Sequence, residues 1–268
     1  MTSNQRPGKG IFVAVEGADG SGKTEAVSEL MRLLRQDGRP ARRIVRSSPS
    51  GPPAYTGLVR GVDTLFRAGP ALPASWELLS LAAAAQYLAI MHCEIGPPVA
   101  EGTIVIADSW WNKTWIRLAI EAGICHRHTP EQAQRFRAWQ QALLPVPAPI
   151  AGSQFTVVID AAPQDRARWY EHAGCPDTVF DDDGAPSRDP SVFASFTSRI
   201  AGELRELAAW HQWPVVRNSA AMSPADVAAQ IRALIYDRLQ PGTGRAAGSP
   251  ATPAAPGIAP APAPGQAP

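Results

Sequence analysis

The stretch GADGSGKT, residues 17–24, is the most informative part of the sequence. It matches the pattern G-x-x-x-x-G-K-[S/T]. It lies between the apolar run GIFVAVEG (10–17) and TEAVSELMRLLRQDG (24–38), whose apolar residues recur at helical spacing. A glycine-rich loop between a buried strand and a helix points backbone N–H groups at phosphate oxygens, and the helix N-terminus adds positive potential. The stretch therefore predicts a nucleoside triphosphate site, the alternative being a glycine-rich turn that matches by chance.

The residue types within this loop suit the parts of a phosphate site. The glycines allow a tight concave backbone, Lys23 places a positive charge on the β- and γ-phosphates, and Thr24 offers its hydroxyl to Mg²⁺. The predicted phosphate-binding residues are Gly17, Ala18, Asp19, Gly20, Ser21, Gly22, Lys23 and Thr24.

Apolar runs and helical periodicity alternate along the rest of the chain. Short apolar runs bounded by turn residues predict five strands, over residues 10–17, 41–47, 102–108, 153–163 and 213–220. Apolar residues at helical spacing predict helices over 24–38, 73–95, 131–144, 190–211 and 223–239. This alternation predicts an α/β fold of the P-loop NTPase type, with three layers and a five-stranded, mainly parallel sheet flanked by helices.

Composition divides the chain and excludes several classes of function. Residues 1–9 are polar and residues 241–268 are rich in Pro and Ala, so we expect both to be disordered around one domain over 10–240. The formal net charge of +1 gives no sign of nucleic-acid binding. No apolar run approaches the length of a membrane span, and the N-terminus has no apolar centre typical of a signal peptide. We therefore expect a cytoplasmic protein with neither a nucleic-acid nor a membrane partner.

Cysteine and histidine spacing indicates no metal site. The three cysteines of the chain are too scattered for a disulfide framework, and CHRH (125–128) lacks a second pair of ligands. The acidic run DDDG (181–184) is typical of a solvated loop.

The stretch IVIADSWWNKTW, residues 104–115, places a carboxylate at the end of a predicted buried strand. In an open α/β sheet, ligands lie beyond the carboxyl ends of the strands, so Asp108 is predicted to hold Mg²⁺ directly or through water. The alternatives are a helix N-cap or a surface turn. Lys23 and Asp108 are the predicted catalytic residues, and Thr24 and Asp108 the predicted metal ligands. Asp160 ends another strand, and both a functional and a structural role stay open for it.

Several motifs taken in order resemble the thymidylate kinase family of P-loop kinases, over roughly residues 9–238. The phosphate loop is shared by many protein families. The weaker matches, taken in their order along the chain, are what point to this family among them. The matching stretches are GIFVAVEGADGSGKTEAV (10–27), EGTIVIADSW (101–110), FTVVIDAAPQ (155–164), FTSRIAGELRELA (196–208) and VVRNSAAMSPADVAAQI (215–231).

The resemblance implies an activity and its cofactors. Members transfer the γ-phosphoryl group of ATP to a nucleoside monophosphate, so it implies ATP, Mg²⁺ and a dTMP-like deoxynucleotide acceptor. The acid at the position of Asp19 holds the acceptor sugar hydroxyl in the family. The family also implies a lid, here over about 164–190, and pairing of two copies through the second and third helices. Arg166, Arg168 and Arg188 are the lid candidates, each of which is alternatively a solvated surface arginine.

The acceptor half departs from the family pattern. The family's Asp-Arg-Tyr is Asp108-Ser109-Trp110 here, and serine cannot supply the guanidinium that contacts the acceptor phosphate. Ala83 and Tyr87 fall where the family has a thymine-stacking phenylalanine and an arginine. Lys113 offers a replacement charge, with a solvated helix residue as the alternative, and Gln86 offers an amide for a base. The predicted acceptor-binding residues are Asp19, Gln86, Tyr87, Ser109 and Lys113.

These departures leave other functions open. A P-loop kinase acting on a nucleoside or another unusual acceptor fits the missing arginine at Ser109. A nucleotide-binding protein without kinase activity fits the poor match of the lid arginines. Trp110, Trp111 and Trp115 would either stack on a ligand or pack in the core.

Overall fold

A five-stranded parallel sheet organises the chain in a computed structural model that describes residues 10–46, 48–68, 75–143, 153–174 and 179–240. Its strands run in the order β2-β3-β1-β4-β7, and every neighbouring pair is parallel. The predicted α/β fold and its five strands are confirmed. The strands of this sheet are β1 (Ile11–Glu16), β2 (Ala41–Ile44), β3 (Ile104–Asp108), β4 (Gln154–Ala161) and β7 (Val215–Asn218).

Nine α-helices occur in the described part of the chain. They are α1 (Lys23–Gln36), α2 (Pro53–Ala68), α3 (Trp76–Ile90), α4 (Gly96–Ala100), α5 (Trp111–Cys125), α6 (Pro130–Ala142), α7 (Pro163–His172), α8 (Pro190–His211) and α9 (Pro224–Leu239). A π-helical stretch, Met91–Ile95, joins α3 to α4, and a short hairpin of β5 (Val179–Phe180) and β6 (Pro186–Ser187) precedes α8. The five predicted helices are present, and α2, α4, α5 and α7 are additional.

Alternating side chains of β1 bury against helices on opposite faces of the sheet. Val13 and Val15 belong to a core formed with α1 and α9. Phe12 and Ala14 belong to a second core, formed with α2, α3 and the first tryptophans after β3. Because both faces are covered, β1 is apolar throughout its length until Glu16, which explains why its continuous run predicted a buried strand.

The tryptophans after β3 pack in this second core. Trp110 is 1% exposed, and its ring meets those of Phe12 and Tyr87 edge-on, with centroids 5.1 and 4.7 Å away. Trp111 is also buried, and Trp115 packs against the same cluster. These contacts favour the interpretation that the three tryptophans pack in the core over the alternative that they stack on a ligand.

One helical stretch corrects an expectation from the sequence. Trp76–Ala100 is long and apolar enough to cross a membrane by length and composition, so the expectation that no segment reaches that length is wrong. However, 56% of its most apolar stretch of 18 residues is buried inside the protein, and core helices of soluble proteins can be equally long and apolar. The reason is that α3 packs against α2 and α5, which favours apolar residues around most of its circumference.

The buried carboxylate of Glu16 ties the end of β1 to the start of α5. It accepts hydrogen bonds from the backbone N–H groups of Trp110, at 3.3 Å, and Asn112, at 3.0 Å. Burial raises the pKa of Glu16 above its ordinary value, and these N–H groups and the nearby lysine ammonium groups oppose that rise. Glu16 therefore fixes the direction in which the chain leaves β3. The predicted disordered termini, 1–9 and 241–268, lie outside the described residues.

We expect Glu16→Ala to lower the free energy of unfolding by about 2–4 kcal/mol, because it leaves two N–H groups without an acceptor. Urea denaturation measures this change. The matched variant Glu16→Gln keeps one acceptor oxygen and should lose less. Equal losses in the two variants would contradict a role of Glu16 as acceptor for the α5 N-terminus.

Candidate active site

The loop between β1 and α1 has the conformation of a phosphate cradle. Gly20 and Gly22 have φ of 74° and 79°, in the left-handed region that other residues rarely adopt. A Cβ at Gly22 would lie 2.4 Å from Asn218 Nδ2, and one at Gly20 would lie 2.8 Å from the carbonyl oxygen of Arg166. Both the backbone angle and the packing therefore require glycine, so the motif is built into the fold.

Lys23 lies inside this loop. Its Nζ donates to the carbonyl oxygen of Ala18 at 2.8 Å, and the residue is 7% exposed. The pKa of Lys23 is lowered to about 8, chiefly by burial and also by the Lys113 ammonium, while the carboxylates of Asp19, Asp108 and Glu16 oppose the shift. Because burial disfavours the charged form of Lys23, an anionic ligand would stabilise it, which fits a phosphate-binding role.

The start of α1 and the end of β3 meet at the carboxylate of Asp108. Thr24 Oγ1 donates to Asp108 Oδ2 at 2.8 Å, although the two residues are 84 positions apart in sequence. The parallel register that pairs Val15 with Asp108 produces this proximity. Arg43 Nη2 donates to the same oxygen at 2.7 Å and its Nη1 to Ser28 Oγ at 3.1 Å. A hydroxyl and a carboxylate side by side are oxygen ligands suited to Mg²⁺.

A cavity of about 1260 Å³ runs along the carboxyl edge of the sheet. The phosphate loop lines it, and most of the other lining residues fall into two groups according to the elements that carry them. We call the first group, which lies between β2 and α5 in sequence and includes Phe180, the acceptor arm; its residues are Arg43, Val45, Arg46, Asp63, Phe66, Trp76, Leu79, Tyr87, Ser109, Lys113, Thr114, Arg117, Leu118, Glu121 and Phe180. We call the second group, from α7, the end of β7 and the segment after it, the loop arm; its residues are Trp169, Tyr170, His172, Ala173, Asn218, Ser219, Ala220, Met222 and Pro224, and Glu25 and Phe193 also line the cavity.

Lys113 reaches the phosphate loop and forms an ion pair with Asp19. Burial alone would raise the pKa of Asp19, but the charges of Lys113, Lys23 and Arg117 outweigh it and hold that pKa below its ordinary value. Asp19 is therefore an anion inside the cavity, with a cation beside it. The sequence placed both residues at the acceptor site, and the structure brings them together.

Ser109 and Tyr87 also line the cavity. Ser109 has φ of 65°, and its N–H donates to the carbonyl oxygen of Val15 at 3.0 Å, which holds it at the sheet edge. The Tyr87 hydroxyl lies 2.6 Å from Thr114 Oγ1 and 3.4 Å from a donating nitrogen of Arg46. These bonds join α3, α5 and the segment after β2 on the wall of the acceptor arm.

Gln86 lies away from the other predicted acceptor residues. It is fully buried, its Nε2 donates to the carbonyl oxygen of Val59 at 2.9 Å, and it is not among the residues lining the cavity. Its Oε1 has no hydrogen-bond partner among the described residues. The amide therefore joins α3 to α2.

The three predicted lid arginines lie outside the lining of the cavity. Arg166 is 1% exposed and donates to the carbonyl oxygen of Ala161 and, at 2.8 Å, to Ser198 Oγ, so it joins α7 to β4 and α8. Burial lowers its pKa, the Asp160 carboxylate opposing the shift. Arg168 is exposed, with Asp165 3.9 Å away. Arg188 is an exposed residue between β6 and α8.

Several groups at the site were not predicted. Arg43 and Arg46 lie within residues 41–47, for which the sequence predicted a strand but no site residue. Arg117 pairs with Glu121 at 2.8 Å on α5, a helix that was not predicted. Trp169 lies on α7. The spacing of Lys113, Arg117 and Glu121 at intervals of four residues was the available signal for a helix face.

Other candidate residues have structural partners. Asp160 pairs with Arg205 at 3.1 Å, which supports its structural interpretation. No group of His, Cys, Asp and Glu that could hold a metal ion occurs among the residues that the structure describes, and this covers the histidines at 126 and 128.

Comparison with known proteins places the chain near one group of enzymes. No family model matches it. It is 27% identical to the thymidylate kinase of Verminephrobacter eiseniae, over 83% of this chain and 89% of that protein. It is 26% identical to the probable thymidylate kinase of Pyrobaculum aerophilum, over 84% and 95%. With the thymidylate kinase of Cereibacter sphaeroides it shares 36% identity, but the matched part spans about half of that relative, 46% of its length and 40% of this chain.

The pair of Asp19 and Lys113 is testable by a double-mutant cycle of Asp19→Asn and Lys113→Met. Both side chains are mostly buried, at 22% and 17% exposed, so we expect a coupling of about 1–2 kcal/mol in the free energy of unfolding. Urea denaturation of the four proteins measures it. Because the pKa of Asp19 is lowered by folding, the coupling should be full above the ordinary aspartate pKa and fall as the pH drops toward the lowered one. Additive losses at pH 7 would contradict the pair.

Proposed function

We propose that the chain is a thymidylate-kinase-like enzyme that transfers the γ-phosphoryl group of ATP to a dTMP-like deoxynucleoside monophosphate, with Mg²⁺. The observation that carries the proposal is the 2.8 Å contact between Thr24 at the front of α1 and Asp108 at the end of β3. It puts a hydroxyl and a carboxylate beside a glycine cradle, which is the arrangement needed to hold a metal-bound triphosphate.

The donor triphosphate would bind in the loop of residues 17–24. The backbone N–H groups and the N-terminus of α1 would hold its oxygens, and Lys23 would place its charge on the β- and γ-phosphates. Thr24 and Asp108 would hold Mg²⁺. The metal, when bound, neutralises charge on the transferring phosphoryl group.

The acceptor arm supports an anionic acceptor despite the serine at position 109. Arg43, Arg46, Lys113 and Arg117 all line it, and they come from the segment around β2 and from α5. These cations lie beside the phosphate loop and can replace the charge that the family's arginine supplies. Asp19, held as an anion, can accept a hydrogen bond from a sugar hydroxyl.

Catalysis by this arrangement would consist of positioning and charge neutralisation. A monophosphate is already a nucleophilic anion, so no strong general base is required. The protein must bring two anions together, and the convergence of Lys23 and the acceptor-arm cations near one sheet edge does this. The aromatic side chains of the acceptor arm, Phe66, Trp76 and Phe180, offer faces for a base.

A second candidate function is phosphorylation of an uncharged acceptor such as a nucleoside. The observation that favours it is that three of the acceptor-arm cations already have acidic partners. Arg43 pairs with Asp108, Lys113 with Asp19, and Arg117 with Glu121. Such pairing leaves less positive charge for a phosphate. A third candidate, a nucleotide-binding protein without kinase activity, is consistent with the positions of the predicted lid arginines outside the cavity.

We also propose a cytoplasmic, homodimeric protein that binds small nucleotides and neither nucleic acid nor membrane. The exposed apolar side chains of Leu58 on α2 and of Leu78 and Leu81 on α3 support pairing through these two helices. Cys93 and Cys125 are free thiols, in keeping with a reducing compartment.

The acceptor is identified by a coupled assay of ADP release with ATP, Mg²⁺ and a panel of nucleoside monophosphates and nucleosides. We expect turnover with dTMP or a related deoxynucleoside monophosphate, and at least about tenfold lower kcat/KM with the matching nucleoside, because the acceptor-arm cations add binding energy for the phosphate. Faster turnover of nucleosides would favour the second candidate. ATP binding without turnover of any acceptor would contradict kinase activity.

A further inference from the structure

Three aromatic side chains stack at the surface where α8 ends and the chain turns into β7. The rings of Trp210 and His211 have centroids 5.3 Å apart and planes inclined by 26°, and those of His211 and Trp213 have centroids 4.8 Å apart and planes inclined by 13°. Gln212 ends α8 in the left-handed conformation, with φ of 56°, and the turn that follows lets Trp213 approach the imidazole. We call Trp210, His211 and Trp213 the aromatic ladder.

The aromatic ladder is largely open to solvent. Trp210 is 60% exposed, the largest value among the exposed large hydrophobic residues of the described chain, and His211 is also exposed. Trp213 packs against the core that contains α8 and so anchors the ladder. Partial burial lowers the pKa of His211 below its ordinary value, so its ring is neutral at neutral pH. An exposed indole in a neutral, stacked row is typical of a surface that contacts another segment of protein.

The ladder lies away from the candidate active site. None of its three side chains lines the cavity. It precedes Val215, the first residue of β7, so it lies at the edge of the sheet where the strands begin. The phosphate loop and Asp108 lie at the opposite edge, where the strands end. The proposed kinase reaction therefore gives the ladder no role.

The chain after α9 carries a proline pattern that suits such a surface. In PATPAAP, residues 250–256, prolines recur at every third position. A polyproline II helix has three residues per turn and rises about 3.1 Å per residue, so these prolines would form one ridge with a repeat of about 9 Å. Residues 246–268 contain no charged side chain, so this segment offers apolar contacts and no ion pairs. Proline ridges of this kind dock on surfaces lined by aromatic rings.

The end of α9 brings the start of this segment to the edge of the sheet that carries the ladder. Arg232 and Tyr236 on α9 donate to the carboxylate of Asp37, which directly follows α1. Because α1 begins at the phosphate loop and is about 21 Å long, its far end and that of α9 lie where the strands begin. Residues 241–249 span up to about 28 Å in the polyproline II conformation. Since β7 is an edge strand, this path passes around the sheet and not through the core.

We propose that residues 250–256 of this same chain dock as a polyproline II ridge on the aromatic ladder, with their proline rings against Trp210 and His211. Composition predicts that the segment has no fold of its own, and such a ridge needs none, because it has no internal hydrogen bonds. Attachment to the same chain favours this occupant over a separate protein, since a short linker gives an effective concentration in about the millimolar range. The contact is independent of the proposed kinase activity.

Backbone ¹⁵N relaxation of the full chain tests the contact from the side of the segment. The amides of Ala251, Thr252, Ala254 and Ala255 lie between the ridge prolines. We expect Trp210→Ala to lower their transverse relaxation rates by at least about twofold, because the segment is released from the slowly tumbling domain. His92→Ala removes an exposed ring elsewhere on the surface and, as the matched control, should leave these rates unchanged.

The indole N–H signal of Trp210, assigned by its loss in Trp210→Phe, tests the contact from the side of the ladder. We expect it to shift when Pro250→Ala, Pro253→Ala and Pro256→Ala are combined. The matched control combines Pro260→Ala, Pro262→Ala and Pro264→Ala, which removes the same number of prolines from a stretch where they recur at every second position and form no single ridge. This control should leave the signal in place.

Unchanged relaxation of residues 251–255 in Trp210→Ala would overturn the proposal, and so would equal shifts of the indole signal in the two proline variants. If Trp210→Ala does not fold, His211→Ala carries the same expectation. A wild-type contact that disappears on dilution would indicate that the segment docks on a second copy, which would also contradict docking within one chain. Loss of kinase turnover with an intact contact would count against the proposed function alone.

Discussion

The hydrogen bond between Thr24 and Asp108 connects the two halves of the site. It forms because β1 and β3 are parallel neighbours, paired so that Val15 stands opposite Asp108 and both strands end at the same edge. The loop after β1 then begins α1 with Thr24, and β3 ends with the carboxylate. A shift of one residue in this register would turn Asp108 to the other face of the sheet and separate it from Thr24.

The distribution of charge at this edge distinguishes the two arms of the cavity. Lys23 and the acceptor-arm cations come from α1, from β2 and the residues after it, and from α5, and most of them have a carboxylate partner within the cavity. This pairing allows cations to be mostly buried before a ligand binds, since an unpaired buried charge would be far more costly. The acceptor arm thus holds several paired cations although position 109 has no arginine.

The sequence predicted the sheet well and the walls of the acceptor arm poorly, for physical reasons. The apolar runs of β1, β3 and β4 reflect burial on both faces, and the glycine motif reflects backbone angles such as that of Gly22, so both are visible without a structure. The start of α5 was not visible, because Trp110 stands at the N-cap and no side chain caps the helix. The sequence also did not show that Gln86 points toward α2 and not into the cavity. The reason is that α3 is apolar on almost all sides, so its periodicity does not identify the side that lines the cavity. Arg43 joins the site through β2, a strand of only four residues.

The central proposal is that Thr24 and Asp108 hold a Mg²⁺ ion that also binds the triphosphate. The dependence of ATP affinity on Mg²⁺ is its clearest test. Calorimetry would compare the wild-type protein with Asp108→Asn, each with Mg²⁺ and with a chelator. We expect Mg²⁺ to tighten ATP binding to the wild type by at least about tenfold, or 1.4 kcal/mol, and to tighten it by less than about twofold in the variant. Equal tightening by Mg²⁺ in the two proteins would contradict a metal site that joins Asp108 to the phosphate loop.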